Sequence, residues 1–155
     1  MYQTLIDEID LELESMSMIV SDIEILINEV GTTVPTNIHK TALGGFASQF
    51  YNGVENIFKR IHKHFKIELP KGDDWHIVLL ERFSIESGFA FPVKISKELA
   101  EKLSVYRRFR HYFFHGYSRN LKWDILLSGA KDINDVFILF KKEIFNALKK
   151  PTLNS

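Results

Sequence analysis

The apolar positions near the start of the chain recur at helical spacing. They are separated alternately by four and three residues, which is the pattern of one buried face of an α-helix. Gly31 follows this face where a C-cap residue would stand. The first helix is therefore predicted over Tyr2–Val30. Its apolar face comprises Ile9, Leu13, Met16, Val20, Ile23, Ile27 and Val30.

A second apolar row runs along the same predicted helix. Leu11, Met18 and Ile25 are seven residues apart and lie about 200° around the helix from the first row. A helix that is apolar on two sides is normally covered on both. Two explanations stay open: the helix is central in a monomer, or a second subunit covers the extra row.

Four further helices are predicted from apolar spacing and from capping residues at their ends. The residues between Asn120 and Lys131 are expected to be irregular or partly helical. His62 and His64 are expected to be solvated in a basic last turn, and His76 beside Trp75 to be structural. The predicted helices run over Ile38–Lys66, over Trp75–Ile85, from an N-cap at Ser96 to Gly116, and from a cap at Asp132 to just before Pro151.

The pattern as a whole predicts an all-α fold. No useful stretch alternates between apolar and polar residues, as a half-buried strand would. A chain of 155 residues favours one domain with one core. We therefore predict an antiparallel helical bundle of four long helices and a short one, with a single domain over residues 1–150 and a tail over 151–155.

Composition narrows the possible chemistry. The chain has no cysteine, which excludes disulfides, thiolate nucleophiles and thiolate metal sites. No apolar run has the length of a membrane span, and the acidic N-terminus lacks the apolar core of a signal peptide. We expect a cytoplasmic protein that does not enter a membrane.

Charge is distributed unevenly, although the formal net charge is zero. Met1–His39 contains eight acidic residues and no Lys or Arg, whereas Lys102–Lys122 contains six Lys or Arg and no acidic residue. A basic cluster attracts polyanions through long-range attraction and release of their counterions. The basic segment Lys102–Lys122 is therefore the candidate for a phosphate-binding site.

The basic segment contains an Arg-x4-His-x-Tyr pattern. It consists of Arg110, His115 and Tyr117, with His111 directly after the arginine. An arginine can hold a phosphate and stabilise the charge that develops on it during reaction. A neutral histidine can take the proton of a ribose 2′-hydroxyl, and a protonated one can protonate the leaving 5′-oxygen. Two histidines, or one from each of two subunits, could divide these tasks.

Helical geometry leaves the choice of arginine open. On an ideal helix Arg110 and His115 lie about 140° apart, whereas Arg108 shares the face of His115. His111 and His115 are four residues apart and could ligate a metal, but no acidic residue between Lys102 and Lys122 could complete such a site. We therefore predict no metal and no cofactor. The arginines could also form only a solvated basic face.

The segment from Arg110 to Tyr117 resembles the HEPN superfamily, specifically the HepT-like toxins of prokaryotic toxin–antitoxin pairs. Phe50–Arg60 is similar to the second helix of that family, and Asp74–Leu80 to the segment that follows it. The resemblance covers nearly the whole chain. It implies a metal-independent endoribonuclease that forms a homodimer, in which the two motif helices build a composite cleft.

The resemblance also implies roles for individual residues. Arg110 and His115 would be the catalytic pair, and His111 a supporting polar residue. Tyr117 matches the tyrosine that a nucleotidyltransferase antitoxin modifies with AMP, which would silence the enzyme. The residues that we expect to contact the RNA substrate are Arg107, Arg108, Arg119 and Lys122.

Two other functions are compatible with the same residues. One is a non-catalytic HEPN subunit, a substrate-binding or regulatory partner of a nucleotidyltransferase. The other is a helical module that binds RNA through the basic, aromatic segment. The intact arginine and histidine favour the enzyme, because a protein that only binds could lose either of them.

Overall fold

A computed structural model describes residues 2–116 and 121–149 and has five helices in those ranges. They are α1 (Gln3–Val30), α2 (Asn37–His64), α3 (Trp75–Phe83), α4 (Lys97–Phe114) and α5 (Trp123–Lys149). The predicted all-α bundle of four long helices and a short one is confirmed. Within the described ranges, strand-like pairing is limited to an isolated bridge between Ser84 and Ile95. None of the helices in these ranges combines the length and the apolarity that crossing a membrane needs.

The central helix of the bundle is α2, which packs against each of the other four. The first apolar row of α1 is buried as predicted, except that Leu26 replaces Ile27 in the core. The second row stays exposed: Leu11, Met18 and Ile25 retain 66%, 65% and 53% of their accessible surface. The interpretation of α1 as a central helix is therefore wrong, because α1 meets the bundle on one side only.

The last helix begins at Trp123, nine residues before the predicted cap, and Asp132 lies exposed in its middle. Gly129 explains the difference. The hydroxyl of Tyr106 donates a hydrogen bond to the Gly129 carbonyl at 2.8 Å. A Cβ at position 129 would lie only 2.6 Å from Cε2 of Phe109. This glycine therefore serves close packing of α4 on α5 and does not interrupt the helix.

His62 is buried, which corrects the prediction that it is solvated, whereas His64 is exposed. The His62 ring donates from Nδ1 to the Phe58 carbonyl at 2.8 Å and accepts at Nε2 from Nη1 of Arg82 at 3.3 Å. A guanidinium only donates, so this arrangement requires the neutral imidazole. Burial lowers the pKa of His62.

Both predicted ends of α4 are confirmed. The Ser96 hydroxyl accepts the backbone N–H of Leu99 at 3.1 Å, as an N-cap does. Gly116 has φ +76°, directly after the last turn. The part of the basic segment from Lys102 to Phe114 therefore lies on α4, with His115 at the C-cap of that helix.

Candidate functional site

A cleft of about 570 Å³ opens between the C-terminal half of α4 and the start of α3. The α4 side contributes cationic, imidazole and aromatic groups, and the facing side contributes the loop before α3 and its first turn. Candidate residues thus share a cavity with side chains from a distant part of the sequence. The α4 side of the cleft consists of Arg107, Arg110, His111, Phe114 and His115, and the facing side of residues 72–77.

Arg110 is held in this cleft by three contacts. Its Nε donates to Oδ1 of Asn52 on α2 at 2.5 Å, and its Nη1 lies 3.2 Å from Nε2 of His76 on α3. Its guanidinium also stacks over the ring of Phe114, 4.8 Å from the ring centroid. The side chain is 22% exposed, so the guanidinium is anchored on the protein side and still open to the cleft.

Behind Arg110 lies a buried carboxylate. Glu55 on α2 is 2% exposed, and its Oε2 lies 2.6 Å from Nδ1 of His76. Its Oε1 lies 3.7 Å from Nε of Arg110. An ionised carboxylate only accepts and a guanidinium only donates, so His76 must carry its proton on Nδ1 and accept at Nε2. His76 is therefore a neutral bridge between a buried anion and the arginine of the motif.

The two histidines of the motif lie against each other at the end of α4. Their ring centroids are 4.1 Å apart, and both side chains are exposed. His115 donates from Nδ1 to the backbone carbonyl of His111 at 2.8 Å. This bond orients the His115 ring and leaves Nε2 to exchange a proton with a bound molecule.

Arg107 and Arg110 line the cleft with these histidines, whereas Arg108 does not. Arg108 lines a separate groove between α4 and α5, and its Nη1 donates to Oγ of Ser104 at 3.2 Å. The Arg110 side chain reaches His76 and lines the same cleft as His111 and His115 despite their angular separation on the helix. The structure thus brings together the arginine and the histidines that the motif pairs.

The chain also matches a known protein family. A family model described as HepT-like protein matches residues 42–150, which is more than half of the chain. The chain belongs to the HepT-like family, within the HEPN superfamily. The matched range includes most of α2 and all of α3, α4 and α5, and therefore every residue of the cleft. Neither a search of curated proteins nor a search of solved structures gives a match.

Of the remaining predicted site residues that the structure describes, one lines the cleft and another does not. Arg107 lines the cleft beside Arg110. Lys122 is exposed just before α5 and is not among the residues that line the cleft. Tyr117 and Arg119 lie outside the described residues. Within residues 2–116 and 121–149, no three His, Asp or Glu side chains are placed together so that they could hold a metal ion.

Three residues of the HepT-like site were not predicted to belong to it. Asn52 and Glu55 were not singled out, and His76 was expected to be structural. A signal for Glu55 does exist in the sequence. Tyr51, Glu55, Phe58 and His62 are spaced four, three and four, so they form a second row on α2 next to its main apolar row, and all four are buried.

The pKa of Tyr51 also reflects the buried environment of Glu55. Its side chain is fully buried, and its hydroxyl has no hydrogen-bond partner among the described residues. Burial raises its pKa well above the usual range, and the negative charge of Glu55 adds to that effect. The interior beside the cleft is thus poorly solvated, which strengthens the interaction between Glu55 and the groups that neutralise it.

Proposed function

We propose that this HepT-like chain is a metal-independent endoribonuclease, the toxin of a toxin–antitoxin pair. One observation carries the proposal: an anchored arginine, Arg110, and a histidine with a free ring nitrogen, His115, line the same cleft. An arginine can stabilise the charge on the phosphate, and a histidine can take the proton of the attacking 2′-hydroxyl. The family match supports the same reading.

The reaction follows from these groups. Nε2 of neutral His115 takes the proton of a ribose 2′-hydroxyl, and the 2′-oxygen attacks the adjacent phosphorus. Arg110 binds the non-bridging oxygens and stabilises the charge that they gain in the transition state. The bond to the 5′-oxygen breaks, and that oxygen takes a proton from an imidazolium. The products are a 2′,3′-cyclic phosphate and a 5′-hydroxyl, and none of these steps uses a metal ion.

The second imidazole comes from His111, or from the motif of a second copy in a homodimer. His111, Phe114 and His115 are exposed at the open side of the cleft, where another α4 could approach. The exposed row on α1 is a poorer surface for self-association. Residues 1–39 carry eight acidic residues and no Lys or Arg, so two copies of α1 would repel each other.

The nucleotidyltransferase antitoxin would silence the enzyme by transferring AMP to Tyr117. That residue follows the end of α4 two positions after His115. An AMP group there adds a phosphate anion and a bulky nucleoside close in sequence to the proposed catalytic histidine. It would compete with the RNA phosphate for the cations of the cleft.

The proposal is tested by RNA cleavage with the purified protein. Arg110→Ala and His115→Ala should each abolish cleavage and growth inhibition, whereas EDTA should have no effect on the wild type. His64→Ala is the matched control, because His64 is also exposed but lies at the end of α2. Undiminished cleavage by His115→Ala would refute the mechanism.

The same assays separate the enzyme from its alternatives. A folded protein that binds RNA in a salt-sensitive way and cleaves none would instead be a non-catalytic HEPN subunit or an RNA-binding module. Incubation with the antitoxin and labelled AMP tests the regulation. Tyr117→Phe should remain unlabelled and active, and label on that variant would contradict the assignment of the modified tyrosine.

A further inference from the structure

We propose that His76 is a positioning residue, which fixes the guanidinium of Arg110 in the orientation that binds phosphate. The effect on catalysis rests on the proposed function, whereas the effect on Arg110 itself does not. An arginine side chain is long and loses much rotamer freedom when it is held in one place. In this chain, residues from two other helices already hold it.

The contacts of Arg110 divide its five N–H groups. The Nε hydrogen is used by Asn52, and one Nη1 hydrogen is used by His76. The other Nη1 hydrogen and the two on Nη2 have no partner among the residues that the structure describes, and the guanidinium lines the cleft. Three donors are therefore kept for the oxygens of a phosphate, with the arginine already in place.

The neutral bridge explains how a buried carboxylate can lie behind a phosphate-binding arginine. A carboxylate that paired with Arg110 directly would occupy two of its N–H groups in a bidentate bond. Glu55 Oε1 is 3.7 Å from Nε of Arg110, which is too long for a hydrogen bond. Glu55 acts instead through the short bond to His76, which takes only one hydrogen of the guanidinium.

His76 is itself fixed from a third direction. The ring of Trp75 lies against the His76 ring, with centroids 3.5 Å apart, and Nζ of Lys59 lies 4.7 Å from the centroid of the Trp75 ring. The imidazole is held in one orientation by its contacts with Glu55, Arg110 and Trp75. The rigidity of α2 and α3 is in this way transmitted to a side chain on α4.

The test compares two substitutions at position 76. His76→Phe keeps a ring against Trp75 and removes both hydrogen bonds, without changing the net charge, because the bridging imidazole is neutral. His76→Gln can still donate to Glu55 and accept from Arg110. His62→Gln is the matched control, since His62 forms a similar bridge to Arg82 outside the cleft.

Kinetic measurements should show that His76→Phe misplaces the guanidinium of Arg110 without weakening the attraction of RNA to the protein. For a single-stranded RNA oligonucleotide, we expect His76→Phe to lower kcat roughly 100-fold, as a misplaced group does. KM should change less than about threefold, because the other cations still attract the phosphates. His76→Gln should restore most of kcat, and His62→Gln should cleave like the wild type under conditions where it is folded.

A second measurement does not depend on cleavage. The Nη1–H resonance of Arg110, assigned by its loss in Arg110→Ala, should be protected from water in the wild type and lost by exchange in His76→Phe. The Nε–H resonance, whose hydrogen is donated to Asn52, should persist in that variant and is the internal control. Wild-type kcat or an unchanged Nη1–H resonance in His76→Phe would overturn the inference. If the wild type cleaves no RNA, the proposed function fails. The Nη1–H resonance then decides the inference alone.

Discussion

Removal of Arg110 should destabilise the fold as well as the site, because it exposes an uncompensated charge in the interior. Glu55 is 2% exposed and has two partners, a hydrogen bond from the neutral His76 at 2.6 Å and the charge of Arg110 at 3.7 Å. At the latter distance two unit charges attract by about 4 kcal/mol when the effective dielectric constant is near 20. The bond from His76 remains in Arg110→Ala, and Arg110 is partly exposed. We therefore expect a loss of about 1–3 kcal/mol in the free energy of unfolding.

A double-mutant cycle isolates this interaction. Glu55→Gln removes the charge and keeps the shape, so the further loss caused by Arg110→Ala should be smaller in the Glu55→Gln background. Urea denaturation gives the free energies, and thermal unfolding should show a shift of about 2–4 °C for each kcal/mol in a chain of this size. Equal stability of Arg110→Ala and wild type would refute the reasoning. So would an Arg110→Ala cost that does not depend on Glu55.

The buried residues His62, Tyr51 and Gly129 can each be tested by a single substitution. Burial lowers the pKa of His62, so as pH falls below about 6.5 the unfolded chain takes up a proton that the folded chain excludes. The free energy of unfolding should therefore fall by up to about 1.4 kcal/mol per pH unit. Urea denaturation at several pH values should show that this free energy depends less on pH in His62→Gln than in the wild type. Tyr51→Phe removes a buried hydroxyl that has no hydrogen-bond partner among the described residues, so it should leave the free energy of unfolding unchanged or raise it by about 1 kcal/mol. A clear decrease of that free energy in urea denaturation would contradict this. Gly129→Ala should lower the thermal midpoint, because its Cβ would meet Phe109 at 2.6 Å and overpacking costs about 1–3 kcal/mol; a raised midpoint would mean that the gain in helix propensity wins.

Most of the fold could be predicted because each helix buries one regular row of side chains. The rows of α1 and α4 and the later row of α5 follow the spacing of a helix closely enough to be read from the chain alone. The start of α5 was missed because a glycine weakens local helix propensity. The packing of Tyr106 and Phe109 on Gly129 outweighs that weakness, and such packing is not a local property.

The candidate site was only partly predictable, for a related reason. Arg110, His111 and His115 are close in sequence, so their spacing was visible, and the resemblance at those residues implied their roles. The groups that hold Arg110 come from far away in the chain: Asn52 is 58 positions distant and His76 is 34. No local pattern connects residues at such separations.

The sequence by itself therefore determined the helical class, the basic segment and the motif within it, because periodicity, charge and spacing are properties of neighbouring residues. Tertiary structure alone decided that Arg110 shares a cleft with the motif histidines and that Arg108 does not. Ideal helical phase favours Arg108, but packing of α2 and α3 against α4 gives Arg110 its partners and its place in the cleft. The same packing places His76, which was expected to be only structural, and Glu55, which was not singled out, behind that arginine. A side chain of this length is placed by the groups that bind its tip, and those groups lie on other helices.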